Sequence, residues 1–141
     1  EALWASGPPE LLYGDWCDGR SFGSLLRAVA SYRGLTVLLL RAAGGGEVLG
    51  AVTDTWEEGN GSFGGGPGCL LFALWPSLRA FRSTGKSRNY AYLNSRSKAA
   101  PRGLGFGGQQ GSCRLWIDAD FEECKVLPSD ATFTAGGRLA G

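Results

Sequence analysis

Gly103-Leu104-Gly105-Phe106-Gly107-Gly108, running on to Cys113-Arg114-Leu115-Trp116-Ile117-Asp118, is the stretch on which the fold turns. Its first six residues satisfy the spacing G-x-G-x-x-G. In a dinucleotide-binding fold that motif follows a strand and opens a helix, so that the helix N-terminus meets the pyrophosphate. Neither flank fits here. Ala99-Ala100-Pro101 comes before it, and a strand-like alternation of Cys113, Leu115 and Ile117 comes after. The glycines therefore read as corners between packed strands rather than as a phosphate cradle. Gly85-Lys86-Ser87 fails as the tail of a P-loop for the same reason and reads as a β-turn.

Outward from this stretch the pattern is one of short strands. Residues 11–13 (Leu-Leu-Tyr) read as a first strand, closed by the Asp18-Gly19 turn. Ser21 fits a helix N-cap, and Phe22, Leu25, Leu26, Val29 and Tyr32 recur at helical spacing, which predicts a helix over 22–33 capped by Gly34. Residues 35–41 and 47–53 predict a hairpin with a glycine-rich loop. Gly50 inside its second strand marks a bulge or a close backbone approach. Phe63 is a candidate anchor in the following loop. Residues 69–74, 78–82, 88–93, 113–118 and 131–133 supply further strands, with Tyr90 and Tyr92 on one face of theirs. Trp116 and Phe72 are candidate core residues. The expected fold is mostly β, a two-sheet antiparallel β-sandwich with one or two flanking helices.

The composition narrows the chemistry. At 141 residues the chain suits one domain, expected over residues 11–141 after a linker over 1–10. The abrupt start at Glu1 is expected of a fragment of a longer protein. With no histidine in the chain, Ser-His-Asp and Cys-His sites and imidazole metal ligation are excluded within it. Cys17, Cys69, Cys113 and Cys124 form no C-x-x-C pair, so no cofactor or metal is expected from them. A reducing compartment with buried free thiols is the reading favoured over two disulfides. Asp118, Asp120, Glu122 and Glu123 lack the spacing of a calcium loop and read as a solvated strand end. No apolar run is long enough to cross a bilayer as a helix.

The charge layout is one-sided. No Asp or Glu occurs between Glu58 and Asp118, while Arg79, Arg82, Lys86, Arg88, Arg96, Lys98, Arg102 and Arg114 fall in that span. If the first seven share a surface, they would steer an acidic partner. These seven are the candidate partner-binding residues. A lattice such as tubulin would suit that charge, which keeps a cytoskeletal or ciliary role open. A third reading, a cysteine-based antioxidant enzyme, needs an exposed thiol in electropositive surroundings, and Cys17 is its candidate.

The motifs in their order resemble a known family, the TLDc domain. Its opening strand and helix resemble Leu12-Tyr13, Asp18-Gly19, Ser21-Phe22 and Leu25-Leu26. Its first hairpin resembles residues 34–41 with Val48-Leu49-Gly50-Ala51. Leu71-Phe72-Ala73-Leu74 with Pro76, Phe81-Arg82-Ser83-Thr84-Gly85, and Asn89-Tyr90-Ala91-Tyr92-Leu93 are similar to its middle strands. Gly103, Gly105, Gly107 and Gly108 leading to Trp116 and Asp118 resemble its glycine-rich signature, and Thr132-Phe133 its late element. Tyr92-Leu93-Asn94 and Gly107-Gly108-Gln109 look closest to the members associated with lysosomes and the mTOR pathway. Arg114 departs from the family, which has Gly before Leu-Trp. The resemblance implies a β-sandwich without a recognised catalytic centre. It also implies a protein-interaction module that binds the V-ATPase, with roles in oxidative-stress protection and in vesicle and lysosome biology. Its expected place is cytoplasmic, peripheral on a lysosome or vacuole, or in a cilium.

Overall fold

A computed structural model describes residues 8–43, 46–54 and 56–134. Two short helices and nine strands follow in order: α1 (Asp15–Asp18), α2 (Phe22–Ala30), β1 (Thr36–Arg41), β2 (Val48–Thr53), β3 (Phe63–Gly64), β4 (Leu70–Trp75), β5 (Arg79–Phe81), β6 (Ala91–Asn94), β7 (Gly103–Phe106), β8 (Leu115–Asp118) and β9 (Cys124–Val126). The strands form two antiparallel sheets, ordered β1-β2-β4-β5 and β3-β6-β7-β8-β9. The fold is the expected β-sandwich.

Alternation builds the core. Leu38 and Leu40 of β1 face inward beside Leu49 and Ala51 of β2, Leu71 and Ala73 of β4, and Phe81 of β5. The second sheet answers with Ala91, Leu93, Leu104, Phe106, Leu115 and Ile117. Phe22 and Leu25 of α2 close one flank of this core. The Ser21 side chain accepts a hydrogen bond from the Ser24 amide and caps that helix. Gly50 is a close approach, as expected: a Cβ there would lie 2.3 Å from the Phe72 ring and 2.6 Å from the Leu38 carbonyl oxygen.

Several expectations are corrected. Residues 11–13 join no ladder. Tyr13 instead donates its hydroxyl to the Gly19 carbonyl and accepts from the Ser21 amide, so the segment straps the start of α2. The helix stops at Ala30, where the Tyr32 amide bonds Val29 in a tighter final turn. Tyr90 and Tyr92 do not share a face. Tyr90 precedes β6 and packs on Phe133, whereas Tyr92 lies between Phe63 and Trp116 on the outer side of its sheet. Cys113 sits on that outer side too, its sulfur 2.8 Å from where Gly105 would carry a Cβ, while Leu115 and Ile117 point into the core. Phe72 and Trp116 are half-buried on outer faces rather than between the sheets. Residues 131–133 contribute one isolated bridge, Ser83 with Phe133. The linker expected over 1–10 falls mostly outside the described residues.

Candidate partner-binding surface

The glycine-rich stretch is half strand and half turn, a correction to reading it as corners alone. Gly103 and Gly105 lie within β7, in register with Asp118 and Trp116 of β8. A Cβ on Gly105 would lie 2.9 Å from the Trp116 ring, and one on Gly103 2.8 Å from it. The bare backbone of β7 is thus the floor on which the Trp116 indole lies, edge-on to Tyr92 at 5.6 Å.

Gly107 and Gly108 make the turn proper, both with positive φ. A Cβ on Gly107 would strike the Asp130 carboxylate at 2.6 Å. That carboxylate accepts from the amides of Gly108 (2.8 Å) and Thr132 (3.0 Å). Its other oxygen accepts from Arg114 at 3.0 Å, and both side chains are almost wholly buried. The glycine turn is therefore a socket for an internal carboxylate, not for a ligand phosphate.

Arg114, the eighth cation of the basic span and not one of the seven candidates, is wholly buried. Its Nη1 also donates to the carbonyls of Phe133 and Thr134, and its guanidinium lies 4.9 Å above the Phe81 ring. Its Nε and Nη2 are buried without a partner. Sequence alone could have flagged it only by its position, next to the buried face of an apolar strand.

The other seven cations are all exposed, but the fold separates them. Arg79 is on β5. Arg82 follows it, bonded through its backbone to Thr134. Lys86 and Arg88 lie before β6, at the end of the sheet where Asn89 donates to the Gly108 carbonyl. Arg96, Lys98 and Arg102 lie beyond the far end of β6, a strand about 13 Å long at 3.3 Å per residue.

The loop that carries Arg96, Lys98 and Arg102 is firmly built. The buried Asn94 side chain accepts from the amides of Arg96 and Ser97 and donates to the carbonyls of Ser97, Ala100 and Pro101. Glu58 accepts from the Ser95 amide and hydroxyl, and the Tyr92 hydroxyl donates to Pro101 at 2.7 Å. Sequence names Asn94 only within the Tyr92-Leu93-Asn94 motif and Glu58 only as the last acid before the basic span, neither as a support of this loop. Beside this loop is an open cleft of about 370 Å³ lined by Lys98, Ala100, Arg102, Asp118, Ala119 and Asp120. Its charges are mixed: Asp118 and Asp120 stand against Lys98 and Arg102.

The thiols are poorly placed for nucleophilic chemistry. Local desolvation and the Asp18 carboxylate beside it push the exposed Cys17 thiol up. Burial pushes Cys113 up to about 12. Desolvation and then the Asp118 charge raise Cys124. A raised thiol holds less thiolate at neutral pH. Among the described residues no group of three or more cysteines and carboxylates could hold a metal ion, and no helix is long and apolar enough to cross a membrane.

A two-sheet sandwich whose glycine signature serves packing defines a structural domain, and the TLDc domain profile matches residues 5–141. The chain belongs to the TLDc domain family. It is similar to proteins named MTOR-associated protein MEAK7. Identity is 40% over 116 residues with that of Danio rerio, covering 82% of this chain and 25% of the relative. It is 34% over 127 residues with those of Gallus gallus and Homo sapiens, covering 89% of this chain and 27% of each. The chain spans about a quarter of the length of these curated relatives.

Proposed function

We propose that this TLDc domain is a non-catalytic docking module, and that the loop bearing Arg96, Lys98 and Arg102 is the centre of its partner surface. The observation that carries this reading is the pinning of that loop by Asn94 and Glu58. Three exposed cations are held on a backbone that these bonds fix, so less backbone ordering entropy is lost on binding. Arg79, Arg82, Lys86 and Arg88 are exposed elsewhere on the domain and lie outside this centre.

The partner is an acidic protein surface at the lysosome or on vesicles. The name of the relatives supports a place near the mTOR machinery. The V-ATPase is the leading single candidate through the family, with protection against oxidative stress as the consequence of docking there. The raised thiols of Cys17, Cys113 and Cys124 support docking over cysteine catalysis.

Affinity capture from cells with the full-length protein, wild type and Arg96→Glu/Lys98→Glu/Arg102→Glu, tests this. Recovery of V-ATPase subunits that the triple variant loses supports it. Equal recovery by both proteins removes the loop from the interface. Salt-sensitive co-sedimentation with microtubules, with no V-ATPase recovered, would favour the cytoskeletal reading instead.

A further inference from the structure

The cleft beside the basic loop carries both signs of charge, and the two are kept apart. Lys98 and Arg102 reach its lining from the loop after β6, Asp118 and Asp120 from the end of β8 and the turn beyond it. Among the described residues no ion pair joins either cation to either carboxylate. Charges of opposite sign thus line one opening without neutralising one another.

Both sides of the cleft are built to hold their place. Asn94 and Glu58 fix the basic loop. The Ala119 amide donates to the Arg102 carbonyl at 2.9 Å and ties the acidic turn to that loop. Within the turn Asp118 accepts the Glu122 amide at 2.8 Å. Phe121 takes a left-handed φ of 59°, which a bulky side chain rarely adopts. Its ring lies edge-on to Phe22 at 6.3 Å, and its carbonyl accepts from Arg20 at 2.8 Å. These contacts hold the turn that carries Asp120.

A purely acidic partner fits this arrangement badly. Carboxylates that meet Lys98 and Arg102 in the cleft also meet the field of Asp118 and Asp120, and like charges brought together across an interface oppose binding. A small zwitterion is poorly served as well, because the cleft is open and Lys98, Arg102 and Asp120 are exposed, whereas small-ligand sites bury most of their ligand. A protein segment brings its own cover. Resting on the docking reading above, we propose that Asp118 and Asp120 are specificity-determining residues of that surface. The cleft takes a partner segment in which a Lys or Arg stands beside the acids, its cation at Asp118 and Asp120 and its carboxylates at Lys98 and Arg102. Acidic surfaces that lack the cation are turned away, since specificity comes from the repulsive element as well as the attractive one. Asp120 carries more of the selection, because Asp118 already gives one oxygen to the Glu122 amide.

Quantitative affinity capture from cells with the full-length protein tests this through the sign of a single charge change. The partner is defined as what the wild type recovers and Arg96→Glu/Lys98→Glu/Arg102→Glu does not. Asp120→Lys makes the surface more basic, yet recovery of that partner falls by about fivefold, the upper range for an exposed ion pair. Asp120→Asn lowers it by a smaller factor, and it carries the test alone should the lysine variant fail to fold. Glu123→Lys makes the same change of charge on an exposed residue of the same turn that does not line the cleft, and recovery stays level or rises. A folded Asp120→Lys, or in its place Asp120→Asn, that recovers as much partner as the wild type or more overturns the proposal. An equal loss in Glu123→Lys overturns it too, because the effect would then be one of overall charge. If the triple variant loses no partner, the docking reading itself fails and this inference falls with it, a result distinct from the other two.

Discussion

Asp130 grips the Arg114 guanidinium at 3.0 Å with both side chains almost wholly buried, and the two sides of that grip are unequally supported. Asp130 also receives the amides of Gly108 and Thr132. Arg114 keeps Nε and Nη2 without partners. Removing the carboxylate strands a buried cation and frees the amides of Gly108, Thr132 and Phe133. Asp130→Ala is expected to cost about 3–5 kcal/mol, the usual penalty for breaking a buried pair. Arg114→Met removes a cation that is already poorly satisfied and leaves the carboxylate its amide donors. It is expected to cost clearly less. Urea unfolding of both variants checks the order, and equal losses would contradict this account.

Gly105 and Trp116 form a second coupled pair. Gly105→Ala puts a methyl 2.9 Å from the indole and 2.8 Å from the Cys113 sulfur. Overpacking of this kind costs about 1–3 kcal/mol. Trp116→Leu alone is expected to cost less than the ~3–5 kcal/mol of a fully buried Trp→Ala truncation, because Trp116 is half-buried. In the double variant the leucine should make room for the methyl, so the combined loss falls below the sum. Strict additivity in a double-mutant cycle would show that the two do not share space.

Alternation and turn residues made the sandwich legible before any coordinates. Residues 35–41, 47–53 and 69–74 are short apolar runs bounded by turn residues, which is enough to fix strand type. Orientation between strands was less legible. Tyr90 and Tyr92 are spaced as same-face neighbours, but the chain joins the ladder only at Ala91, and a residue outside the ladder need not follow its period. The burial of Arg114 was not legible because its partners, Asp130 and the carbonyls of Phe133 and Thr134, come from a separate segment. The support of the basic loop was hidden for the same reason, since Glu58 is 37 positions from Ser95. Resemblance supplied the family, and local pattern could not have done so.

Asn94 tests whether the basic loop is preorganised. Its amide group makes contacts to Arg96, Ser97, Ala100 and Pro101. In Asn94→Ala the backbone groups it served lose their partner, at roughly 1–3 kcal/mol for each one left buried and unsatisfied. The loss is expected to exceed about 2 kcal/mol, with faster amide exchange confined at first to residues 95–102. Under the docking proposal, partner capture should weaken although every cation remains. A destabilised variant that binds unchanged would separate the loop's order from recognition.

Cys113 gives the alkaline limit of stability a defined origin. Its thiol is raised from the ordinary 9.0 to about 12, chiefly by burial and then by the Asp130 charge. In the unfolded chain it ionises near 9, so between about 9 and 12 the unfolded state binds fewer protons than the folded one. Stability then falls as pH rises. The contribution is complete below pH 9 and disappears through the folded-state value. Wild-type stability should therefore decline above pH 9 more steeply than that of Cys113→Ala, which lacks the group. At neutral pH a thiol reagent should modify Cys17 and Cys124, which are exposed, more slowly than free cysteine, and leave Cys69 and Cys113 until urea unfolds the chain. Parallel pH profiles for wild type and Cys113→Ala would show that the buried thiol has no part in the alkaline transition, and fast neutral-pH labelling of Cys17 would restore it as a candidate nucleophile.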